Sequence, residues 1–349
     1  MPGRNMRKLL IRADAGGNLG FGHVSRCLSL AESVRAHYGI WIVFYSNPYA
    51  KLEEIYRKHG FEYVSNEDLS EAELLRKMGN DAPGSTILID VQFPYGRDDI
   101  RSLGTGVKTV MLGNLCDGMR ECDYVIFPSA HLGDQEILDL RKYDNRSKFL
   151  HGLDYVIINQ SIMTFLDRRE DSIPRPHIAI TTGASDPEGI LIRVLRWMNE
   201  SDLDIPVKAL YGFDFCHKAE LASMLPKLRP NIEVKRFNYD DLFSSRLALS
   251  AFGVVTYELI YAGIPVITVG HATPNDLGGK ALQGRYRCNH HLGLFREVSR
   301  EQLVSCVRDL WGQEEGLAVM RRNQAGLIDG GGLERIGRII YSCCSGEQL

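Results

Sequence analysis

The chain lacks the features that mark several classes of protein. No apolar run approaches about 18 residues, so no transmembrane segment is expected. Its basic residues form no run and the formal net charge is −3 at pH 7, which argues against a nucleic-acid partner. The eight cysteines include no Cys-x-x-Cys pair, and the first apolar stretch is too short for a secretory signal. We therefore expect reduced, mostly buried thiols in a cytoplasmic protein.

The first glycine-rich loop lacks two familiar phosphate-binding patterns. It contains no G-x-G-x-x-G, and no Gly-Lys-Ser or Gly-Lys-Thr follows it, so neither a dinucleotide fingerprint nor a P-loop is supported. What it does contain is four glycines, between the apolar run 9–11 and a helix whose apolar residues recur at the helical period. Glycine lets a backbone approach a ligand closely, and a helix N-terminus attracts negative charge. The loop, which ends in Gly20 and Gly22, therefore predicts an anion site.

His23 follows this loop at the start of the helix. The positive end of the helix dipole disfavours a charged imidazole, which would leave a neutral ring able to accept a proton near pH 7. A general base needs that property. The more frequent role of one histidine at a helix start is a cap or a packing contact, and the residues alone leave both interpretations open.

Length and periodicity indicate two α/β domains. The 349 residues exceed the roughly 250 to 300 at which single hydrophobic cores stop growing. Short apolar runs alternate with helical patterns, which predicts parallel sheets with helices on both faces. The expected strands are 9–11, 41–45, 86–91, 107–112 and 124–127 in the first half, and 177–182, 207–211, 232–237, 247–250 and 265–269 in the second. A charged, proline-broken linker is expected between doubly wound, Rossmann-like domains at 1–165 and 175–349, with a cleft between them.

Polar residues follow several of the predicted strands. Asp90 ends one of them, at the edge where open α/β sheets bind ligands, although a helix cap is an equally good interpretation. In the second half, a strand is followed by the loop 183–185. Asp186 then predicts an N-cap, with Pro187 at the first helical position.

The segment 250–267 is the most informative part of the second half. A strand ends in small residues near Gly253, and a helix follows as far as Gly263, with an N-terminus suited to a diphosphate. Glu258 lies one turn into that helix. Its carboxylate can accept hydrogen bonds from two ribose hydroxyls, and an exposed helical glutamate is the equally weighted alternative. Downstream, the polar loop 271–276 is expected to form a second wall of the same pocket.

No pattern in the chain has the spacing of metal ligands. The adjacent pair His290-His291 has no carboxylate or cysteine at ligand spacing, and we expect both side chains to lie at the surface. Adjacent side chains also point in different directions on a helix or a strand. Neither a metal nor a cofactor is therefore predicted.

Five motifs occur in a characteristic order. The first is Gly20-Phe21-Gly22-His23-Val24-Ser25-Arg26, and the others are 152–157, 181–187, Thr256-Tyr257-Glu258 through Pro265, and 328–336. The first resembles the signature Gly-x-Gly-His-x-x-Arg of the UDP-sugar hydrolases of pseudaminic acid biosynthesis and their spore-coat polysaccharide relatives. The rest resemble, in turn, the segment that closes their N-terminal domain, their second phosphate-side loop, the uridine-site helix shared with the lipid-II-forming N-acetylglucosaminyltransferase, and their terminal Asp-Gly-x-Gly-x-x-Arg helix.

This resemblance covers most of the chain and implies a GT-B architecture. It implies that the C-terminal domain holds UDP and that the sugar faces the first loop. We also expect the terminal helix to pack back on the N-terminal domain. In such enzymes the histidine matching His23 activates a water that expels UDP from the anomeric carbon, with inversion and without metal, and the glutamate matching Glu258 binds the ribose. The expected ligand is a UDP-linked amino or deoxy sugar used in surface glycan synthesis. The residues expected to bind it are Gly20, Gly22, Arg26, Asp90, Gly183, Ala184, Ser185, Asp186, Gly253, Val254, Thr256, Glu258, Asn275 and Asp276.

Two departures from the family leave the identity of the sugar open. The family places a tyrosine two residues after the aspartate that matches Asp90, where this chain has Gln92, and often an Asp-Asp pair where this chain has Gly113-Asn114. One alternative is a glycosyltransferase of the same fold, in which His23 deprotonates a sugar hydroxyl instead of water. Another is a nucleotide-sugar-binding or partner protein without activity. The sequence carries no signal for an oligomeric state.

Overall fold

The computed structural model describes residues 8–16, 19–81, 84–132, 148–168 and 176–347. The chain divides into two compact units. The first comprises Met1–Ala15, Phe21–Asn159 and Gly330–Leu349, and the second comprises Gly16–Gly20 and Gln160–Asp329. The stretch 165–175, predicted as a linker, therefore falls in the second unit, and its residues 169–175 lie outside the described ranges.

The first unit is built on one parallel sheet. Its strands in the described ranges are β1 (Lys8–Ala13), β2 (Trp41–Ser46), β3 (Glu62–Ser65), β4 (Thr86–Asp90), β5 (Lys108–Leu112), β6 (Tyr124–Phe127) and β7 (Lys148–His151). They lie in the order β3-β2-β1-β4-β5-β6-β7, which changes direction between β1 and β4. In open α/β sheets, ligands bind beyond the carboxyl ends of the strands at such a switch point. Ala13 pairs with Asp90 there, so the two strands end side by side.

The second unit repeats this topology. Its strands are β8 (Ile178–Thr181), β9 (Val207–Tyr211), β10 (Ile232–Arg236), β11 (Leu247–Ala251), β12 (Val266–Gly270) and β13 (His290–Leu294). They are parallel and lie in the order β10-β9-β8-β11-β12-β13. The switch point falls between β8 and β11, where Thr181 pairs with Ser250.

The predicted α/β class is confirmed, and the strands that the sequence analysis missed share a position. Central strands such as β4, which is buried at all its positions, are covered on both faces and form continuous apolar runs. The missed strands β3, β7 and β13 each lie at the edge of a sheet. Edge strands are half exposed, so polar residues interrupt their apolar runs.

Helices connect the strands of both sheets. They are α1 (Gly22–Tyr38), α2 (Ala50–Lys58), α3 (Glu71–Asp81), α4 (Arg97–Arg101), α5 (Gln160–Asp167), α6 (Ile190–Glu200), α7 (Lys218–Met224), α8 (Tyr239–Phe243), α9 (Val254–Tyr261), α10 (Thr273–Tyr286), α11 (Arg300–Gly312), α12 (Glu314–Gln324) and α13 (Gly332–Ser345). α1 buries its predicted apolar stripe: Val24, Cys27, Leu28, Ala31 and Val34. No helix in the described ranges is long and apolar enough to cross a membrane.

The last helix belongs to the first unit, where α13 packs against α1. The rings of Tyr38 and Tyr341 stack with their centroids 4.3 Å apart. A Cβ at Gly332 would overlap the carbonyl oxygen of Val156. The close approach of these two backbones explains the glycine at that position of the motif 328–336.

Candidate active site

The first candidate site lies at the switch point between β1 and β4. Asp90 is the last residue of β4 and is fully buried. His23 is the second residue of α1, and its Nδ1 lies 2.6 Å from Asp90 Oδ1. Because an ionised carboxylate only accepts hydrogen bonds, Nδ1 donates in this contact, which leaves Nε2 as the nitrogen that can accept a proton.

Asp90 also accepts from two residues one turn further along α1. Arg26 Nε donates to Asp90 Oδ2 at 2.6 Å, Arg26 Nη2 donates to Oδ1, and the thiol of Cys27 lies 3.3 Å from Oδ2. Residues spaced three and four apart share one face of a helix, so α1 can surround the carboxylate with donors. Burial alone would raise the pKa of Asp90, but the charge of Arg26 and the contact with His23 outweigh it and hold that pKa well below its usual range.

The resulting carboxylate is ionised and fixed in orientation. A carboxylate that holds one ring nitrogen of a histidine fixes the tautomer and stabilises the imidazolium that forms when the other nitrogen takes a proton. Sequence analysis predicted Arg26 and Asp90 as ligand contacts. In the structure their charged groups are engaged with each other and with His23. The arrangement can therefore support general-base chemistry at His23 Nε2.

The glycine loop makes a tight turn before α1. The backbone N of Gly16 donates to the carbonyl of Gly20 at 3.0 Å, and Leu19 N donates to the Gly16 carbonyl at 3.1 Å. Gly20 has a φ of 67°, a left-handed conformation that favours glycine, and Gly22 is the first residue of α1. Gly17 lies outside the described ranges. The turn explains the residue type at Gly20, and its contact with an anion stays a prediction.

A buried ion network beside the start of this loop was missed by the sequence analysis. Arg12, in β1, is 2% exposed and is held by two carboxylates. Its Nε and Nη2 each lie 2.9 Å from a Glu71 oxygen, and Nη2 lies 2.7 Å from Asp14 Oδ2. Asn47 N donates to Asp14 Oδ1 at 2.7 Å, and the Tyr95 hydroxyl donates to Glu71. An arginine inside an apolar strand, two residues before an aspartate, is the signal that could have indicated it.

In the second unit, the loop after β8 lies at the switch point. Gly183 has a φ of 87°, and the Asp186 carboxylate accepts from the backbone N–H groups of the first two residues of α6, at 2.9 and 2.8 Å. Burial raises the pKa of Asp186 despite these two bonds. The helix begins at Ile190, so the predicted start with Pro187 at its first position was wrong. Residue 189 adopts a φ of 64°, and the chain turns once more before the helix begins.

The same loop is tied to the loop after β9. The carbonyl of Ala184 accepts from the backbone N of Asp214 at 3.2 Å, and that of Ser185 accepts from Cys216 N at 2.9 Å. A Cβ at Gly212 would overlap the backbone of Ala184. These contacts fix the loop at the edge of the sheet, and its binding of a phosphate stays a prediction.

Across this switch point, α9 follows β11. Gly253 N donates to Thr256 Oγ1 at 3.3 Å and closes the first turn, with Val254 as the first helical residue. Glu258 is only 5% exposed, and its Oε2 has no hydrogen-bond partner among the described residues. Burial raises the pKa of Glu258 to about 7. The alternative of an exposed glutamate is therefore wrong, and a buried acceptor without a donor marks a place where a ligand can supply one.

The prediction of a polar loop over 271–276 was wrong for most of that stretch, because α10 begins at Thr273, and Asn275 and Asp276, predicted to line a second wall, make contacts within the unit. Asn275 Nδ2 donates to the carbonyl of Phe252 at 2.9 Å, which ties the start of α10 to the loop before α9. Asp276 Oδ2 lies 2.7 Å from Lys280 Nζ, and Oδ1 lies 3.0 Å from His291 Nε2. Burial would raise the pKa of Asp276, but Lys280 and His291 lower it. Asn275 thus lies beside the loop that leads to Glu258, and the Asp276 carboxylate is neutralised locally.

His291 is buried and His290 is half buried, so the prediction that both lie at the surface was wrong. Both belong to β13, an edge strand that packs against α10. His291 Nδ1 lies 2.9 Å from Thr268 Oγ1, and a Cβ at Gly279 would overlap the imidazole. Across the described ranges, no group of three or more His, Cys, Asp and Glu side chains could hold a metal ion.

Comparison with known proteins identifies the architecture. No family model matches the chain. The uncharacterized protein MJ1062 of Methanocaldococcus jannaschii is 24% identical over 276 residues, which are 75% of this chain and 55% of that protein. The chain thus spans about half the length of this curated relative. Among solved structures, MurG of Acinetobacter baumannii matches with a TM-score of 0.64 at 13% identity, covering 96% of this chain and 99% of that one.

The chain has the GT-B fold. Two further GT-B structures match at similar levels. The calicheamicin glycosyltransferase CalG4 has a TM-score of 0.64 at 15% identity, with 98% and 99% of the two chains covered. The UDP-GlcNAc 2-epimerase of Neisseria meningitidis, solved bound to UDP-GlcNAc, has a TM-score of 0.63 at 10% identity, with 96% and 100% covered. At these sequence identities, the similarity shows a shared fold and nothing more specific.

Proposed function

We propose that this GT-B protein hydrolyses a UDP-linked amino or deoxy sugar to the free sugar and UDP, without a metal, in the synthesis of a surface glycan or nonulosonic acid. The observation that carries the proposal is the 2.6 Å contact between His23 Nδ1 and Asp90 Oδ1. That contact directs Nε2 to act as the base. The resemblance of Gly20 to Arg26 to the hydrolase signature supports water as the molecule it activates.

The proposed reaction is a single displacement at the anomeric carbon. His23 Nε2 takes a proton from water while the water oxygen bonds to that carbon from the face opposite UDP, which inverts the configuration. The bond between the anomeric carbon and the β-phosphate oxygen breaks, and UDP leaves with the electron pair. The ionised Asp90 stabilises the imidazolium, and Arg26 keeps the Asp90 carboxylate in place.

The second unit is proposed to bind the nucleotide. Glu258 accepts hydrogen bonds from the ribose hydroxyls, which would satisfy its unpartnered Oε2. The N-terminus of α9 and the loop 183–186 flank one switch point, where backbone N–H groups can stabilise charge on the leaving diphosphate. The Neisseria 2-epimerase of the same fold, bound to UDP-GlcNAc, supports a UDP-sugar as the ligand class.

Oxygen-18 water tests which bond breaks. A panel of UDP-sugars is incubated with the protein in labelled water with EDTA, and both products are analysed by mass spectrometry. The proposal expects one label in the free sugar, none in UDP, and no loss of rate with EDTA. Label in the β-phosphate would mean attack at phosphorus and would overturn the mechanism.

A glycosyltransferase is the second candidate, and the folds of MurG and CalG4 favour keeping it in the test. In that case His23 would deprotonate an acceptor hydroxyl. UDP release would then require an added acceptor, and neither product would carry the label. Binding of UDP-sugars without release under either condition would instead indicate a binding protein without activity.

A further inference from the structure

The turn after β5 makes a close contact with the candidate active site. Gly113 has a φ of 70°, and a Cβ at this residue would lie 2.7 Å from Arg26 Nη2. Glycine is therefore required both for the conformation of the turn and for space beside the guanidinium. The backbone N of Gly113 donates to the Ile126 carbonyl at 2.8 Å, which holds the turn against β6.

The next residue, Asn114, holds the segment that follows Asp90. Its Nδ2 donates to the carbonyls of Val91 and Phe93, each at 2.8 Å. One turn of two residues thus contacts Arg26 on one side and fixes residues 91–93 on the other. The side chain of an aspartate at position 114 has no N–H group and could not make these two bonds.

This turn brings two exposed apolar side chains to the same edge of the sheet. Phe93 is 40% exposed and Leu115 is 38% exposed. In the described part of the first unit, the other large apolar side chain exposed to this degree is Trp41, which starts β2 at the opposite end of the sheet. The Phe93 ring is supported by the buried ring of Tyr95, with centroids 4.9 Å apart. Phe93 and Leu115 thus follow the ends of the neighbouring strands β4 and β5, Phe93 three residues after Asp90 and Leu115 two residues after Gly113, and Asn114 ties the two segments together.

We propose that Phe93 and Leu115 determine the sugar specificity by receiving a methyl group of the substrate. The inference rests on the proposed function, because it places the sugar of the UDP-sugar beside His23. A methyl group gains free energy on leaving water for an apolar surface, whereas a hydroxyl there would lose its hydrogen bonds to water. The methyl belongs either to a 6-deoxy carbon or to an N-acyl group. Asn114 acts as a positioning residue for Phe93.

Calorimetric titration of UDP-sugars into the full-length His23→Asn protein tests the inference without turnover. One pair of ligands differs only at C6, as methyl or hydroxymethyl, and a second pair carries N-acetyl or N-formyl. We expect the methyl-bearing member of one pair to bind about threefold to tenfold more tightly, and the pair that shows the preference identifies the source of the methyl. Adding Phe93→Ala should remove that preference and leave the affinity for UDP alone unchanged.

Three further variants sharpen the test. Phe93→Leu should retain most of the preference because it keeps an apolar surface, and Asn114→Asp should reduce it because the two bonds to the 91–93 segment are lost. Trp41→Ala, an equally exposed aromatic of the same unit, should have no effect. No methyl preference, or one that survives Phe93→Ala, would overturn the inference while leaving the hydrolase proposal intact. Absence of binding by every UDP-sugar and by UDP would overturn both.

Discussion

Asp90 in the first unit and Glu258 in the second are both buried carboxylates near the switch point of a parallel sheet, and their surroundings are opposite. Asp90 accepts from His23, Arg26 and Cys27, and its pKa is held low. Glu258 Oε2 has no partner in the described ranges, and burial raises the pKa of Glu258 to about 7. The protein thus supplies hydrogen-bond donors to the carboxylate of Asp90 and supplies none to Glu258 Oε2 among the described residues.

The difference bears on the roles that we propose for the two carboxylates. A buried group whose hydrogen bonds are complete is a fixed part of the protein, so Asp90 is suited to orient another side chain. A buried acceptor without a donor costs free energy in the unliganded protein, and a ligand that supplies the donor recovers it. Asp90 therefore fits a positioning role, and Glu258 fits direct contact with a ligand.

Replacing His23, the proposed base, should have the largest effect. For His23→Asn we expect kcat for UDP release to fall by roughly 100- to 10,000-fold, because general-base catalysis is lost. The affinity for UDP should stay nearly unchanged. His37→Asn is the matched control, since His37 lies on the same helix and bonds the carbonyl of Ser33. Near-normal kcat in the His23 variant would remove His23 from the mechanism.

Removing the charge of Asp90, whose carboxylate has its donors within the protein, should have the next largest effect. Asp90→Asn leaves the half-buried Arg26 without its fully buried anion, and we expect the free energy of unfolding to fall by up to about 3 to 5 kcal/mol. Because the pKa of Asp90 is lowered on folding, the wild-type advantage is complete above about pH 4 and is lost as the pH falls further. Urea unfolding at several pH values measures the difference in unfolding free energy between wild type and Asp90→Asn, with Asp123→Asn as a control at a less buried aspartate. Equal stability at neutral pH would contradict the pairing.

Neutralising Glu258 should change the free energy of unfolding in the direction opposite to that expected for Asp90→Asn. The pKa of Glu258 is raised from 4.5 to about 7 on folding, so the wild type loses stability between these pH values as the unfolded chain ionises first. The slope is about 1.4 kcal/mol per pH unit, or about 3 kcal/mol in all. Glu258→Gln removes this titration, so its stability relative to wild type should rise across that range. Glu297→Gln, at an exposed site, should show no such change. Parallel stability curves for wild type and Glu258→Gln would show that Glu258 is ionised in the folded protein.

The smallest of these expected effects is on the affinity for UDP. At about pH 8, above the pKa of Glu258, Glu258→Ala should weaken UDP binding by about 1.5 to 3 kcal/mol, the range for hydrogen bonds to a charged acceptor. Binding should persist because contacts between the helix N-terminus and the diphosphate do not involve this side chain. Calorimetry with Glu297→Ala as the control measures the difference. Unchanged UDP affinity would mean that Glu258 does not contact the nucleotide.

The fold was predictable where burial determines the residue pattern. β1 and β4 appear as apolar runs because both faces of the central sheet are covered. The edge strand β13 was not found, because His290-His291 at its start gives no apolar signal, and its burial depends on packing against α10. The start of α6 was misplaced because an Asp-Pro pair is a good local start signal, and the extra turn at residues 186–189 is not visible in it.

The candidate site was predictable residue by residue but not as contacts. His23 and Asp90 could each be singled out by position, at a helix start and at a strand end. That they touch follows from β1 and β4 being neighbours, a pairing between strands far apart in the chain. The sequence also could not show that Glu258 Oε2 has no hydrogen-bond donor in the described ranges, because this depends on the three-dimensional positions of all the surrounding residues.

The place of α13 in the first unit has a consequence for biosynthesis. The sheet strands of that unit, residues 8–151, are translated before the second unit, yet the helix that packs against α1 is translated after most of it. The second unit can complete its sheet while the apolar surface of α1 facing α13 is still uncovered. Of the two units, the one whose sheet is translated earlier is therefore finished later, and a chain interrupted before residue 332 would present that surface to chaperones and proteases.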